Sequence, residues 1–194
     1  MATEDSLFGN EPDRYGYARY SIVVHAPTDI ADNIQCFRQN IGMADFKTEP
    51  HVSISNTLFD LTDMDTLKGK IQALANATKP VLILFSEPPF ISRSNIGFFE
   101  VQLTPELVQL RQSVVDDLDG IIKSKSSPKG SYWPHMTLYQ EANQEEASKA
   151  ATMGLQLDLG NGFHAQTLDL VGRIGSPREG TRHIIERFSF VGAD

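Results

Sequence analysis

One five-residue pattern occurs twice in the chain, and each copy carries a histidine and a hydroxyl. Residues 50–54 (PHVSI) and 134–138 (PHMTL) both have the order Pro-His-x-(Ser/Thr)-apolar. Average residue frequencies give two such matches by chance in fewer than about one in a thousand chains of this size. The repeat is therefore the strongest functional indication in the sequence.

The residue types in this pattern suit chemistry at phosphorus. Residues i and i+2 of a β-strand point to the same face, so His51 lies beside Ser53 and His135 beside Thr137. If the two strands meet, one histidine can take a proton from the attacking water or hydroxyl, and the other can give one to the leaving oxygen. The two hydroxyls can donate hydrogen bonds to the non-bridging phosphate oxygens. This mechanism requires no metal ion or other cofactor.

The paired HxS and HxT motifs, each preceded by proline and placed on a strand, resemble those of the two-histidine (2H) phosphoesterase superfamily. That superfamily includes 2'-5' RNA ligase-like proteins and cyclic nucleotide phosphodiesterases, and the resemblance covers nearly the whole chain. It implies an α+β fold with two lobes, two antiparallel sheets with flanking helices, pseudo-twofold symmetry and a central cleft. It also implies hydrolysis of a 2',3'-cyclic phosphate, a 2'-5' linkage or a related cyclic phosphate of a small nucleotide. His51 and His135 would then be the acid/base pair and Ser53 and Thr137 the phosphate-binding residues.

Several alternatives to this interpretation stay open at the level of sequence. The same site run in reverse would ligate RNA ends, and a cleft without turnover would make the chain a nucleotide-binding module. The two histidines could instead form structural hydrogen bonds. A metal site is less favoured because no third ligand lies at suitable spacing. The other histidines, which lack such a motif, are expected to be structural or to face solvent: His25, His164 and His183.

Aromatic and basic residues near the motifs supply further candidates for substrate contacts. A base stacked on an aromatic ring contributes about 1–3 kcal/mol, and the candidates for stacking are Tyr139, Trp133 and Phe90. Tyr139 is favoured among them because it has the same strand parity as His135 and Thr137. Four cations in loops or near strand ends are candidate phosphate contacts: Arg93, Lys129, Arg173 and Arg178.

Composition limits the class of substrate and partner. The 194 residues carry a formal net charge of -8, which disfavours a long nucleic-acid groove and favours a small nucleotide or short RNA. The single cysteine, Cys36, excludes a disulfide within the chain and a cysteine-based zinc site. Without a long apolar run or a signal-peptide pattern, we expect a cytoplasmic monomer with no membrane contact.

The elements that must position the motifs follow from the hydrophobic pattern. Residues 1–16 are expected to form a flexible N-terminal leader and residues 17–194 a single bilobal catalytic domain. Helices are predicted to begin near residues 28, 64, 104 and 143, and the strand at 81–85 is followed by a predicted loop at 86–94. Residues 123–132 (KSKSSPKGSY) form a predicted loop, either a lid over the cleft or a surface connection.

Overall fold

The computed structural model describes residues 12–46, 48–93, 95–124, 132–140, 142–175 and 181–192. The strands in these ranges are β1 (Arg19–His25), β2 (His51–Phe59), β3 (Val81–Arg93), β4 (Ile96–Val101), β5 (Lys123–Ser124), β6 (His135–Tyr139), β7 (Gly162–Ala165), β8 (Thr167–Ile174) and β9 (Thr181–Ser189). The helices are α1 (Thr28–Ile41), α2 (Met64–Ala77), α3 (Pro105–Leu118) and α4 (Gln144–Gly154).

The strands pair antiparallel in the order β7-β3-β4-β6-β2-β1-β8-β9, with β5 added to β2. The first four strands of this order form one half and the last four form the other. The two halves meet where Val52 of β2 pairs with Met136 of β6, and the sheet curls into a half-barrel. This architecture confirms the predicted α+β fold of antiparallel strands with flanking helices, and the two predicted sheets are the two halves of one continuous sheet.

The helices begin and end where local chemistry requires. The Thr104 side chain accepts from the backbone of Leu107, and Pro105 occupies the first turn of α3, where its missing N–H costs nothing. Asn143 and Glu146 form the predicted capping box of α4. The first helix ends at Gly42, whose φ of 96° lies in the left-handed region that favours glycine.

One face of the central strands forms the hydrophobic core beneath the helices. Alternate residues on this face are fully buried, as the period of a strand requires: Ile22, Val24, Val52, Ile54, Met136 and Leu138. The residues between them, which include the motif histidines and hydroxyls, therefore point to the opposite face of the curled sheet. The position of the core therefore determines which face of the sheet carries the motif histidines and hydroxyls.

A buried arginine connects α1 to both motif segments. Arg38 is 2% exposed, and its Nε donates to the carbonyl of Leu138 in β6 at 2.6 Å. Its Nη1 donates to the carbonyl of Thr48 at 2.9 Å, two residues before the Pro50-His51 pair. Burial lowers the pKa of Arg38 to about 10, so the side chain stays charged at neutral pH. Arg38 therefore holds in place both the segment that precedes the first motif and the strand that carries the second motif.

The third strand is longer than the sequence predicts. The predicted strand ended at residue 85 and was followed by a loop, but β3 continues to Arg93 and pairs with β4. The pairing shifts register between Phe85 and Phe90, across Pro88 and Pro89. Proline cannot donate to a ladder, so an irregular register is the way a strand accommodates two of them. The loop prediction for 86–94 was therefore wrong over its described residues.

Two other predicted flexible segments are only partly described. Residues 1–11 of the predicted leader and 125–131 of the predicted loop lie outside the described residues. Asp13 accepts from the Tyr20 hydroxyl at 2.6 Å, and Arg14 donates to the carbonyl of Thr62, so residues 12–16 contact the folded domain. Lys123 and Ser124 form β5 rather than a loop. Among the described helices, none is both long and apolar enough to cross a membrane.

Candidate active site

The two motif strands cross in a register that interleaves their side chains. Val52 and Met136 are partners in an antiparallel pair, which places His51 opposite Thr137 and Ser53 opposite His135. Directly opposed residues of such a pair have Cβ atoms about 5 Å apart and share one face. Each imidazole therefore lies beside the hydroxyl of the other motif, and the two histidines are diagonal neighbours.

Both histidines are held by the same local hydrogen bond. Nδ1 of His51 lies 2.7 Å from the carbonyl oxygen of Glu49, and Nδ1 of His135 lies 3.1 Å from that of Trp133. A carbonyl only accepts, so Nδ1 carries the proton in each ring. The repeated contact, always to the residue two positions earlier, leaves Nε2 as the atom that can exchange a proton at the site.

An arginine from the last strand fixes the protonation state of the first histidine. Nη1 of Arg182 in β9 lies 2.8 Å from Nε2 of His51. A guanidinium only donates, so this Nε2 is unprotonated and the imidazole is neutral. Burial and the charge of Arg182 lower the pKa of His51 to about 3, well below its usual 6.5. His51 is thus a free base at neutral pH.

A third histidine, expected from the sequence to be structural or to face solvent, lies beside the first motif. His25 pairs in register with His51, and their ring centroids are 5.7 Å apart. Nδ1 of His25 lies 2.6 Å from a carboxylate oxygen of the fully buried Asp169 in β8. Arg187 contacts that same oxygen at 3.3 Å and Glu49 at 3.3 Å. His25 therefore has a structural role in a network of hydrogen bonds and ion pairs beside the first motif.

The predicted stacking residue Trp133 lies against the second histidine. Its ring centroid is 4.9 Å from that of His135, and the planes differ by 36°. The indole N–H donates to Glu100 at 2.5 Å, while 39% of the residue stays exposed. A partly exposed ring fixed beside the site remains a candidate platform for a base.

Tyr139 and Phe90, the other two stacking candidates, are core residues, so the predictions for them were wrong. In the β4–β6 pairing, Phe98 opposes Thr137 but Gly97 opposes Tyr139, so β6 has a bulge at this point. The extra residue reverses the strand parity, and Tyr139 is 0% exposed and packs against Phe37 of α1. Phe90 is 6% exposed and lies over Gly154 of α4. Neither ring is accessible to a base.

Another aromatic residue beside the second motif supports the first motif strand. The hydroxyl of Tyr132 donates to the carbonyl of Ser53 at 2.9 Å. The guanidinium of Arg111 in α3 stacks on the Tyr132 ring at 4.2 Å and donates to the carbonyl of Ile54 at 2.8 Å. Burial raises the pKa of Tyr132 and keeps it protonated as a donor. These contacts hold the backbone of β2 in place at Ser53 and at the residue after it.

Sequence reasoning missed the charged residues that surround His51. Asp169, Arg182 and Arg187 come from β8 and β9, more than a hundred residues from the first motif, and no short motif marks them. Among the cations that the sequence singled out, Arg173 lies on β8. The side chain of Arg93 and the residues Lys129 and Arg178 lie outside what the structure describes.

Comparison with solved structures supports the fold described above. The crystal structure of TT0787 of Thermus thermophilus matches with a TM-score of 0.62 at 14% identity, over 91% of this chain and all of that one. Escherichia coli LigT complexed with 3'-AMP matches with a TM-score of 0.58 at 14% identity, over 89% of this chain and 97% of that one. The NADP+ complex of LigT gives 0.57 at 16% identity, over 93% and 98%. These likenesses show the fold.

A family model supplies the assignment that the structural likenesses alone do not. No curated protein sequence matches the chain. The model of the 2'-5' RNA ligase superfamily, however, matches residues 26–176, a segment that contains both histidine motifs and most of the strands that position them. The chain therefore belongs to the 2'-5' RNA ligase superfamily, a family of 2H phosphoesterases.

Proposed function

We propose that this protein is a metal-independent phosphodiesterase. It would hydrolyse a 2',3'-cyclic phosphate or a 2'-5' phosphodiester of a nucleotide or short RNA by two-histidine acid/base catalysis. The observation that carries the proposal is the crossed register of β2 and β6 about Val52 and Met136. It gives one face of the sheet two imidazoles, each beside a hydroxyl, which is the set of groups that displacement at phosphorus needs.

The neutral state of His51 supports one assignment of the two roles. His51 is neutral and its Nε2 lone pair is the proton acceptor, so it takes the proton of the attacking water as the new P–O bond forms. His135, protonated at Nε2, gives its proton to the leaving oxygen as the old P–O bond breaks. Ser53 and Thr137 donate to the non-bridging oxygens, on which negative charge is held in the transition state.

Arg182 has to move for this reaction to occur. Its Nη1 occupies the lone pair of His51 that must receive the proton. An incoming phosphate offers the guanidinium charged acceptors that bind it more strongly than a neutral imidazole does. The substrate would therefore draw Arg182 off His51, which frees the base and adds a positive charge beside the reacting phosphate.

A small nucleotide is the favoured substrate class. LigT, which has the same fold, has been solved in complexes with 3'-AMP, NADP+ and ATP. The net charge of -8 opposes binding of a long RNA backbone, but local arginines can bind one or two phosphates. Trp133, exposed beside His135, is positioned to stack on the base.

The direct test is a substrate panel assayed with EDTA present. We expect turnover of at least one member among 2',3'-cyclic nucleotides, 2'-5' dinucleotides and ADP-ribose cyclic phosphate, because proton transfer from water to one imidazole and from the other to the leaving oxygen needs no metal. Product would be followed by chromatography that separates the 2'- from the 3'-phosphate. Turnover that appears only when a divalent cation is added would overturn the metal-independent mechanism. Binding of these nucleotides without any turnover would make the protein a nucleotide-binding module instead.

The pH dependence of kcat/KM tests the assignment of the base. The acid limb should lie well below pH 6.5, because burial and Arg182 both oppose protonation of His51. In the Arg182→Gln variant the limb should move to higher pH but stay below 6.5, since the positive charge is lost while the burial remains. A wild-type limb at or above pH 6.5, or a downward shift in the variant, would contradict the assignment. Within the described ranges, the charged and titratable side chains around His51 are Arg182, His25, His135, Glu49 and Arg187.

A further inference from the structure

Three arginines lie in register across three neighbouring strands. Arg19 of β1 is the direct partner of Arg173 of β8, and Arg173 is the direct partner of Arg182 of β9. Directly opposed residues of antiparallel strands point to the same face. The three side chains therefore form one row, called the arginine row below, that spans two strand spacings, or about 10 Å.

The arginine row lies on the face of the sheet that carries the histidines. Arg19 and His25 are separated by an even number of positions along β1, so their side chains point to the same face. The β1–β8 pairing is regular from Arg19 to Val23. Between them on the helix-covered face lie the buried residues Tyr20 and Ile22. The curl of the sheet then brings the end of the row to the reaction centre, where Arg182 contacts His51.

The row concentrates positive charge in a protein that is otherwise acidic. Like charges directly opposite in a sheet repel one another, and Arg19 and Arg173 are half-buried. Burial and the neighbouring Arg19 lower the pKa of Arg173, and burial and Arg173 lower that of Arg182 to about 10. The row thus places three guanidinium groups side by side on one face, and each can donate charge-assisted hydrogen bonds to an anion bound among them.

We propose that the arginine row binds a second phosphate group of the substrate, separate from the phosphate that reacts between the two histidines. This inference rests on the proposed function and narrows it. The favoured substrate is a nucleotide or short oligonucleotide with an additional phosphomonoester or phosphodiester, rather than a nucleoside cyclic phosphate alone. Arg182 lies between the two positions and contributes to both, while Arg19 and Arg173 serve only the second phosphate.

The test compares one cyclic phosphate substrate with and without a second phosphate. The wild type should give a kcat/KM about tenfold or more higher for adenosine 2',3'-cyclic phosphate 5'-phosphate than for adenosine 2',3'-cyclic phosphate, which corresponds to one charge-assisted contact. Arg19→Gln and Arg173→Gln should each lower this ratio towards one and leave kcat/KM for the simple substrate unchanged. Lys70→Gln, which removes an exposed charge on α2, should keep the wild-type ratio.

Several outcomes would overturn the inference. They are a wild-type ratio near one, a ratio that both arginine variants retain, and a ratio that Lys70→Gln lowers equally. Circular dichroism and thermal unfolding establish that both arginine variants are folded.

A binding experiment separates this inference from the proposed function. If neither cyclic substrate is turned over, the phosphodiesterase proposal fails, but calorimetry with adenosine 3',5'-bisphosphate and 3'-AMP still tests the row. Tighter binding of the bisphosphate, lost in Arg173→Gln, would support it, and equal binding would contradict it. Inorganic phosphate that binds together with the bisphosphate, and depends on Arg173, would show that the row binds a free anion instead.

Discussion

Replacing either motif histidine with alanine should lower kcat/KM for the phosphodiester substrate by about 10²–10⁴-fold, the range for loss of one acid or base. His51→Ala removes the proton acceptor, and His135→Ala removes the donor to the leaving oxygen. Because the two groups act in one step, the double variant should be little slower than either single one. Steady-state kinetics on the best substrate of the panel measures all three.

The control for this experiment is a histidine outside the site. His164 is exposed on β7, in the other half of the sheet from His51, and His164→Ala should keep the wild-type kcat/KM. Circular dichroism and thermal unfolding of each variant establish that the fold is intact. If His51→Ala or His135→Ala is folded and fully active, two-histidine catalysis is excluded.

Replacing the buried Arg38 with methionine should lower the free energy of unfolding by about 2–4 kcal/mol, the scale of two hydrogen bonds from a charged donor. The substitution leaves the carbonyls of Leu138 and Thr48 without their donor. It also removes the stacking of the guanidinium on Phe46, at 4.6 Å from the ring centroid. Denaturant unfolding followed by fluorescence and circular dichroism gives the change.

Two variants make the result specific to the guanidinium. Gln39→Met, at the next and exposed position of α1, should change the free energy of unfolding by no more than about 0.5 kcal/mol. Arg38→Lys keeps the charge but lacks the planar fork, so it should restore only part of the loss. An Arg38→Met protein as stable as the wild type would mean that these hydrogen bonds contribute nothing net. Activity measured on the same variants shows whether Arg38 also positions Thr137.

Local sequence rules predicted the parts of the site that lie within one strand. The period of two placed His51 with Ser53, and His135 with Thr137, and the structure has both pairs on one face. Helix starts were equally local, since the Thr104 cap of α3 and the capping box at Asn143 involve neighbours three residues apart. Features of this kind depend on residues that are close together in the sequence, so they can be predicted from it.

Parts of the site that depend on pairing between distant strands could not be predicted in this way. His25, Asp169 and Arg182 lie near the first motif only because β1, β8 and β9 follow β2 in the order of the sheet, and nothing in their local sequences states that order. Tyr139 was misplaced for a related reason. Its parity is reversed by a bulge that exists only opposite Gly97 of β4. Register, rather than residue type, decides these positions.

The junction between the two halves has a consequence for how activity is lost. Among the described residues, the β2 and β6 ladder consists of the single pair Val52 and Met136, and each half of the sheet supplies one imidazole and one hydroxyl. Any small separation along this seam would break both imidazole–hydroxyl pairs together while the other strand pairings of each half stay intact. If the proposed site is the catalytic one, activity would depend on the contact between the two halves, and mild heat or denaturant would abolish activity before the protein unfolds.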